Sequence, residues 1–163
     1  MKKKHQSSGQ LSSVHIPVLL NEVIEFLAVI PGKWYVDATA GGGGHLLEIL
    51  KKGGKVLAID RDADAVEYLK TNFTQYIEKK TLKVVLGRLS QLDKLVKDAE
   101  VKDVRGVLFD LGMSTQQIRQ SGRGFSFLKD EKLDMRMDTQ VPLTAELVIN
   151  NFSESELYEI FRK

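Results

Sequence analysis

The chain has 163 residues, of which 42% are hydrophobic, so its length and composition match one globular domain with an apolar core. A formal net charge of +2 permits an RNA partner but does not require one. The lack of cysteine excludes disulfides and thiolate metal sites, and no apolar run is long enough to span a membrane.

The N-terminal part of the chain contains a polar tail and then a helix. Residues 1–14 are rich in Ser, Lys and Gln, which predicts a disordered tail. Its first residues are basic, but no hydrophobic segment of a signal peptide follows them, so we expect a cytoplasmic protein. Apolar residues then recur at helical spacing from Val18 to Val29, and Pro31-Gly32 ends this predicted helix.

The next stretch predicts a strand, a glycine turn and a helix. An apolar strand over Trp34–Asp37 leads into the four glycines Gly41–Gly44 and then into a helix that runs from His45 to Lys52. This unit opens nucleotide-binding α/β folds. Because glycine accepts φ > 0 and has no Cβ, we expect the turn to lie against a ligand. A β-branched side chain at Gly43 should both strain the turn and fill the ligand's space. An ordinary glycine-rich loop is the alternative.

Three further strands are predicted from short apolar runs, namely Lys55–Asp60, Lys83–Leu86 and Arg105–Phe109. Helical patterns lie between them, over Ala63–Phe73 and from Leu92. This alternation indicates a parallel sheet with helices on both faces. Ligands bind such sheets beyond the carboxyl ends of the strands, and the sequence places four residues there: Asp37, Asp60, Leu89 and Asp110.

Beyond Gly112 the alternation of strands and helices stops. The aromatic run Arg123–Phe127 and the charged run Leu133–Asp138 precede two predicted helices, over 144–151 and 153–163. The second of these helices has a good N-terminal signal, because Ser153 and Glu156 have the spacing of a capping box.

The glycine turn fits one class of cofactor better than another. In a dinucleotide-binding G-x-G-x-x-G motif, the third glycine would fall at Leu46 or Leu47, so a nicotinamide oxidoreductase is the weaker hypothesis. S-adenosylmethionine requires a glycine-rich turn near its methionine part and an acidic residue after the second strand for its ribose. Gly41–Gly44 and Asp60 meet both requirements.

Six motifs in a fixed order extend this interpretation: HIPVLLNEV, VDATAGGGGH, AIDRD, DLGMSTQQ, RGFSF and LDMRMD. With them the chain, from His15 to Lys163, closely resembles the ribosomal RNA small subunit methyltransferase H family, bacterial enzymes that methylate N4 of a cytidine in 16S rRNA. The resemblance implies a class I S-adenosylmethionine-dependent methyltransferase, Rossmann-like with a parallel sheet. It also implies the small ribosomal subunit as partner. No metal site is indicated, since His5, His15 and His45 do not have the spacing of metal ligands.

The resemblance assigns site residues position by position. It implies S-adenosylmethionine contacts at Gly43, Gly44, His45, Asp60, Leu89, Asp110 and Gln117. Asp110 is also the candidate catalytic residue, which would orient the amine or the cofactor. The family usually has phenylalanine where this chain has Leu89, which can pack on adenine but offers no ring to stack. Its Ser-Ser-Pro-Gln is replaced here by residues 114–117, so the turn that proline would fix is absent.

The resemblance also implies a division of the chain. Family members are longer and carry a helical substrate-recognition domain inserted after the fourth strand. We therefore expect a cofactor-binding half over 15–112 and an incomplete start of the inserted domain over 113–163. A truncated, non-catalytic remnant that binds S-adenosylmethionine or RNA is the alternative function.

The inserted region offers candidate RNA contacts by stacking and by charge, namely Arg123, Phe125, Phe127, Lys129 and Arg136. Burial of Phe125 and Phe127 in the core of that region is an equally good interpretation.

Overall fold

The computed structural model of the chain describes residues 17–113, 118 and 121–162. Within these residues a parallel sheet has the strand order β3-β2-β1-β4, from β1 Trp34–Asp37, β2 Lys55–Asp60, β3 Leu82–Leu86 and β4 Val104–Leu108. The helices are α1 Leu20–Leu27, α2 Gly44–Lys51, α3 Ala63–Asn72, α4 Thr74–Glu78, α5 Leu92–Asp98, α6 Ala145–Asn151 and α7 Glu154–Arg162. A 3-10 turn, Leu89–Gln91, precedes α5.

Both faces of the sheet are buried, because successive side chains of each strand enter two separate apolar clusters. Tyr35, Val56 and Ala58 pack with residues of α1, α2 and α3 on one face. On the other face, Val36 and Leu57 pack with α5 and the residues that follow it. The predicted Rossmann-like α/β fold, with helices on both faces, is therefore confirmed.

The strand order reverses beside β1. The chain runs outward from β1 through β2 to β3 and then returns to place β4 on the other side of β1. Val36 accordingly pairs with Leu57 of β2 and with Val107 of β4. A point of reversal leaves a crevice beyond the carboxyl ends of the strands, where ligands of this fold class bind.

β4 lies at one end of the sheet as the structure describes it. Val107 is 41% exposed and Phe109, just after the strand, is 50% exposed. The neighbouring apolar residues Leu111 and Met113 are also exposed. This end of the sheet therefore presents an apolar strand edge.

Two helices differ from their predicted bounds because of backbone geometry that periodicity does not reveal. α1 is shorter than predicted, since Leu19 and Ala28 take left-handed φ values of 52° and 44° at its two ends. The predicted helix over 63–73 ends at Asn72, and Phe73, with φ −113°, separates it from the unpredicted α4. The capping box is confirmed, because the Ser153 N–H donates a 2.8 Å hydrogen bond to the Glu156 carboxylate.

The segment 121–138 lies against the α/β part of the chain. Arg123 Nη2 is 2.7 Å from Asp62 Oδ2, beyond β2, and Arg88 Nη2 is 2.7 Å from Asp138 Oδ2, beyond β3. The predicted boundary between 112 and 113 stays a prediction, and the predicted tail 1–14 lies outside the described residues. None of the described helices combines the length and apolarity needed to cross a bilayer.

Candidate cofactor site

The glycine turn after β1 and the carboxylate at the end of β2 are hydrogen-bonded to each other. The Gly41 N–H donates to Asp60 Oδ2 at 2.7 Å, and the Asp62 N–H donates to Asp60 Oδ1 at 2.9 Å. A carboxylate oxygen has two lone pairs, so each oxygen can accept one more hydrogen bond. Asp60 is therefore an oriented acceptor at the carboxyl edge of the sheet.

Gly43, which precedes α2, is needed for packing between helices. Its φ is +81°, and a Cβ there would lie 2.8 Å from Leu69 Cδ2 and 2.8 Å from Phe73 Cζ. A larger side chain at Gly43 would therefore enter the core around α3. The predicted strain in the turn is confirmed by this positive φ, and the contacts with Leu69 and Phe73 add a packing cost that was not predicted, while overlap with a ligand stays a prediction.

His45 and Asp110 lie close together at the reversal point. His45 is buried, its Nε2 is 3.2 Å from the Val18 carbonyl oxygen, and its Nδ1 is 4.0 Å from Asp110 Oδ2. The Asp110 N–H donates to Thr39 Oγ1 at 2.7 Å. Two residues that flank the glycine turn thus contact Asp110.

Asp37 ends β1 beneath this edge and is only 2% exposed. Burial raises the pKa of Asp37 to about 7. A hydrogen bond from the Thr39 N–H opposes this effect, and the negative charges of Asp60 and Asp110 add to it. The sequence places Asp37 at a strand end, but only the structure reveals its perturbed protonation.

The remaining predicted contacts are Leu89 and Gln117. Leu89 opens the 3-10 turn beyond β3 and is 38% exposed. The Gly87 N–H donates to the Asp60 carbonyl oxygen at 2.8 Å, which joins the approach to this turn to the end of β2. Gln117 and the rest of 114–117 lie outside the described residues. The other six predicted contacts lie at the carboxyl edge: Gly43, Gly44, His45, Asp60, Leu89 and Asp110.

Three carboxyl groups give this edge its electrostatic character. Asp60 and Asp110 both act on the pKa of Asp37 through their charges, so the three groups are near one another. The negative charges of Asp60 and Asp110 favour a ligand that carries positive charge and disfavour an anionic pyrophosphate. Among the described residues, no three His, Asp or Glu side chains are arranged to hold a metal ion.

The structure contradicts part of the predicted RNA surface. The Arg123 guanidinium is bound to Asp62 and is 8% exposed, and the Arg136 guanidinium is bound to Asp134 and to the Val141 carbonyl oxygen. The buried Arg123 is therefore not available for phosphate contacts, whereas Arg136, whose side chain is 24% exposed, stays a candidate. The Phe127 ring is fully exposed, which excludes for this residue the alternative of burial in a core.

The ion pair of Asp62 with Arg123 is a feature that sequence reasoning missed. Asp62 also caps α3, because its Oδ1 accepts a 3.1 Å hydrogen bond from the Asp64 N–H. An aspartate before an apolar-periodic run signals this cap. Its pairing with Arg123 joins residues 61 positions apart and has no local signal.

Comparison with known proteins gives matches along most of the chain. Residues 12–163 match the MraW methylase family. A "Ribosomal RNA small subunit methyltransferase H" from Caldicellulosiruptor bescii is 43% identical over 152 residues, covering 91% of this chain and 48% of that protein. A protein of the same name from Sulfurihydrogenibium sp. (strain YO3AOP1) is 41% identical over 150 residues, covering 91% of this chain and 50% of that protein. The chain therefore spans about half the length of these relatives.

Proposed function

The chain belongs to the MraW methylase family, and from this premise we propose that it carries the cofactor-binding part of an S-adenosylmethionine-dependent methyltransferase. The proposed substrate is N4 of a cytidine in 16S rRNA, within the small ribosomal subunit, and the proposed compartment is the cytoplasm. The names of the two relatives support an RNA substrate. Because the chain spans about half of their length, catalysis is proposed for the protein as a whole.

The observation that carries this proposal is the oriented Asp60 carboxylate beside two further carboxyl groups at the reversal point. Asp60 would accept hydrogen bonds from the ribose hydroxyls with its remaining lone pairs. Asp110 supplies further negative charge, which suits the cationic sulfonium and amino groups of S-adenosylmethionine. The start of α2, at Gly44 and His45, would hold the methionine part, and Leu89 would pack on the adenine.

Asp110 is the best-placed of the three carboxylates to act on the substrate amine. S-adenosylmethionine, when bound, supplies an electrophilic methyl group on its sulfonium sulfur. The N4 amine of cytidine is a weak nucleophile, so the protein must orient it and accept a proton. Asp37 is buried and both oxygens of Asp60 accept backbone N–H groups, whereas the Asp110 side chain is 51% exposed. Asp110 would therefore orient the amine or take its proton.

Cofactor binding without methyl transfer is the second candidate function. The exposed edge of β4, with Val107 and Phe109 beside the proposed site, favours it. A site with an open wall would bind the cofactor but position the target base poorly, and catalysis by positioning is sensitive to small displacements. We therefore expect this 163-residue chain to bind S-adenosylmethionine but to transfer methyl groups far more slowly than the longer relatives.

Two measurements separate these functions. Calorimetry with S-adenosylmethionine and, separately, with NADH tests the class of cofactor, and we expect heat of binding only with the first. Transfer of a labelled methyl group to small ribosomal subunits is then compared between this chain and the Caldicellulosiruptor bescii protein. NADH binding without S-adenosylmethionine binding would disprove the proposed function, and methyl transfer at the rate of the longer protein would exclude the binding-only candidate.

A further inference from the structure

A buried guanidinium joins the segment 121–138 to the end of β2. Arg123 is 8% exposed and Asp62 is 2% exposed, and Arg123 Nη2 lies 2.7 Å from Asp62 Oδ2. Arg123 Nη1 donates to the carbonyl oxygens of Arg136 and Met137, at 2.8 Å and 3.2 Å. The side chain is thus held at both of its terminal nitrogens, by two separate parts of the chain.

Asp62 is itself connected to the proposed ribose acceptor. Its N–H donates to Asp60 Oδ1 at 2.9 Å, while its own Oδ1 accepts the Asp64 N–H at the start of α3. The orientation of the Asp62 backbone therefore sets one of the two hydrogen bonds that orient Asp60. A continuous series of polar contacts runs from Arg123 through Asp62 to Asp60 and on to the Gly41 N–H.

A net gain in folding stability is a poor explanation for the buried ion pair of Arg123 and Asp62. Burying two charges has a large desolvation cost, and a buried ion pair is weak evidence for net stabilisation. Arg123 Nε, moreover, is buried and finds no acceptor among the described residues, which is a further cost. Removing the guanidinium would take away the positive charge that lies 2.7 Å from Asp62 Oδ2, and a buried carboxylate is less stable in its place without that charge. A shift of Asp62 in response would disturb the N–H that holds Asp60.

We propose that Arg123 is a positioning residue for the cofactor's ribose, which acts through Asp62 on the Asp60 carboxylate. This inference rests on the function proposed above, since it assigns Asp60 to the ribose hydroxyls. Arg123 itself touches neither ligand nor reacting atoms in this role. The segment that carries it thereby contributes to cofactor affinity from outside the α/β part of the chain.

The test uses calorimetry on the full chain with two ligands, S-adenosylmethionine and an analogue that lacks both ribose hydroxyls. The hydroxyl penalty is the ratio of the two dissociation constants. In the parent chain we expect a penalty of roughly tenfold or more, the worth of a hydrogen bond to a charged group. In Arg123→Met we expect a penalty below about threefold, because a displaced Asp60 no longer distinguishes the ligands. If Arg123 had only a structural role, its loss would weaken the binding of both ligands equally and leave the hydroxyl penalty unchanged.

The control variant is Arg162→Met, which removes an exposed guanidinium of α7 that takes no part in these contacts. We expect it to keep the parent's penalty. If circular dichroism shows that Arg123→Met is unfolded, Arg123→Gln takes its place, because its neutral amide supports Asp62 less than the guanidinium does. An unchanged hydroxyl penalty in the folded Arg123 variant overturns this inference but leaves the proposed function standing. No binding of S-adenosylmethionine by the parent chain overturns the proposed function as well.

Discussion

The Gly41 N–H donates a 2.7 Å hydrogen bond to Asp60 Oδ2, so the turn that follows β1 fixes the carboxylate that ends the neighbouring strand β2. Asp60 is also held from its own side by the Asp62 N–H. A group held in this way loses little conformational freedom when a ligand binds, which favours affinity. The same two bonds fix the spacing between the turn and the acceptor.

Asp60→Ala should weaken S-adenosylmethionine binding by roughly tenfold or more, because it removes a charged hydrogen-bond acceptor. It also frees the Gly41 and Asp62 N–H groups, so a small loss of stability should accompany it. Calorimetry measures the affinity, and circular dichroism verifies that the variant is folded. Glu67→Ala, which removes an exposed carboxylate from α3, is the control and should bind like the parent. Equal affinity of Asp60→Ala and the parent would refute the assignment of Asp60.

Gly43→Ala should destabilise the protein by about 2–5 kcal/mol, the sum of an unfavourable positive φ and an overpacked core. The new Cβ would lie 2.8 Å from Leu69 Cδ2 and from Phe73 Cζ. Gly42→Ala is the matched control, since a Cβ at Gly42 meets nothing within 4 Å. Urea unfolding of both variants gives the comparison. Similar free energies of unfolding for the two would contradict the packing role of Gly43.

Asp37→Asn should change how stability depends on pH. The pKa of Asp37 is about 7 in the folded protein against an ordinary value of 3.8, so between these values only the folded state binds the proton. The free energy of unfolding contributed by Asp37 therefore falls as pH rises and reaches its minimum above about pH 7. Asn cannot titrate. The free energy of unfolding of Asp37→Asn, taken relative to that of the parent, should therefore be about 3 kcal/mol higher at about pH 8 than at about pH 5.

Urea unfolding of the parent and of Asp37→Asn at these two pH values measures that gain. The difference between the two proteins cancels the titration of every other carboxylate. A difference that is the same at both pH values would mean that Asp37 is ionised in the folded protein throughout.

Phe127→Ala should weaken RNA binding without a change in stability. The ring is fully exposed, so its loss should alter the free energy of unfolding by no more than about 0.5 kcal/mol. A base stacked on such a ring contributes about 1–3 kcal/mol. Binding to a fluorescent fragment of small-subunit rRNA is measured for this variant and for Leu128→Ala, which removes an equally exposed but non-aromatic neighbour. Equal affinities of the two variants would contradict stacking at Phe127.

The strands that frame the site could be predicted from the sequence almost to the residue. Trp34–Asp37 and Lys55–Asp60 are apolar runs that end in aspartate, and turn and helix signals lie on both sides of them. The parallel sheet followed from the alternation of the elements and is confirmed, while the strand order, with β1 between β2 and β4, is added by the structure.

Other features depend on geometry that no local pattern encodes. What a side chain at Gly43 would contact depends on how α2 packs against α3. The protonation of Asp37 depends on how deeply the packed helices bury the end of β1. The burial of Arg123 requires a partner 61 residues earlier in the chain. A basic residue beside aromatic residues predicts an RNA contact, but Arg123 pairs with the buried Asp62 instead, and no local pattern shows this.

The pairing of β1 with β4 also determines when the site comes into existence during folding. Trp34 pairs with Lys55 of β2 but with Val104 of β4, so the second contact closes a chain loop more than three times as long as the first. Contacts between residues far apart in sequence carry the larger entropic cost and slow the folding rate. We therefore expect the crevice between β1 and β4 to be completed late, after β1, β2 and α2 have associated. A ligand that binds there would report the last step of folding rather than the collapse that precedes it.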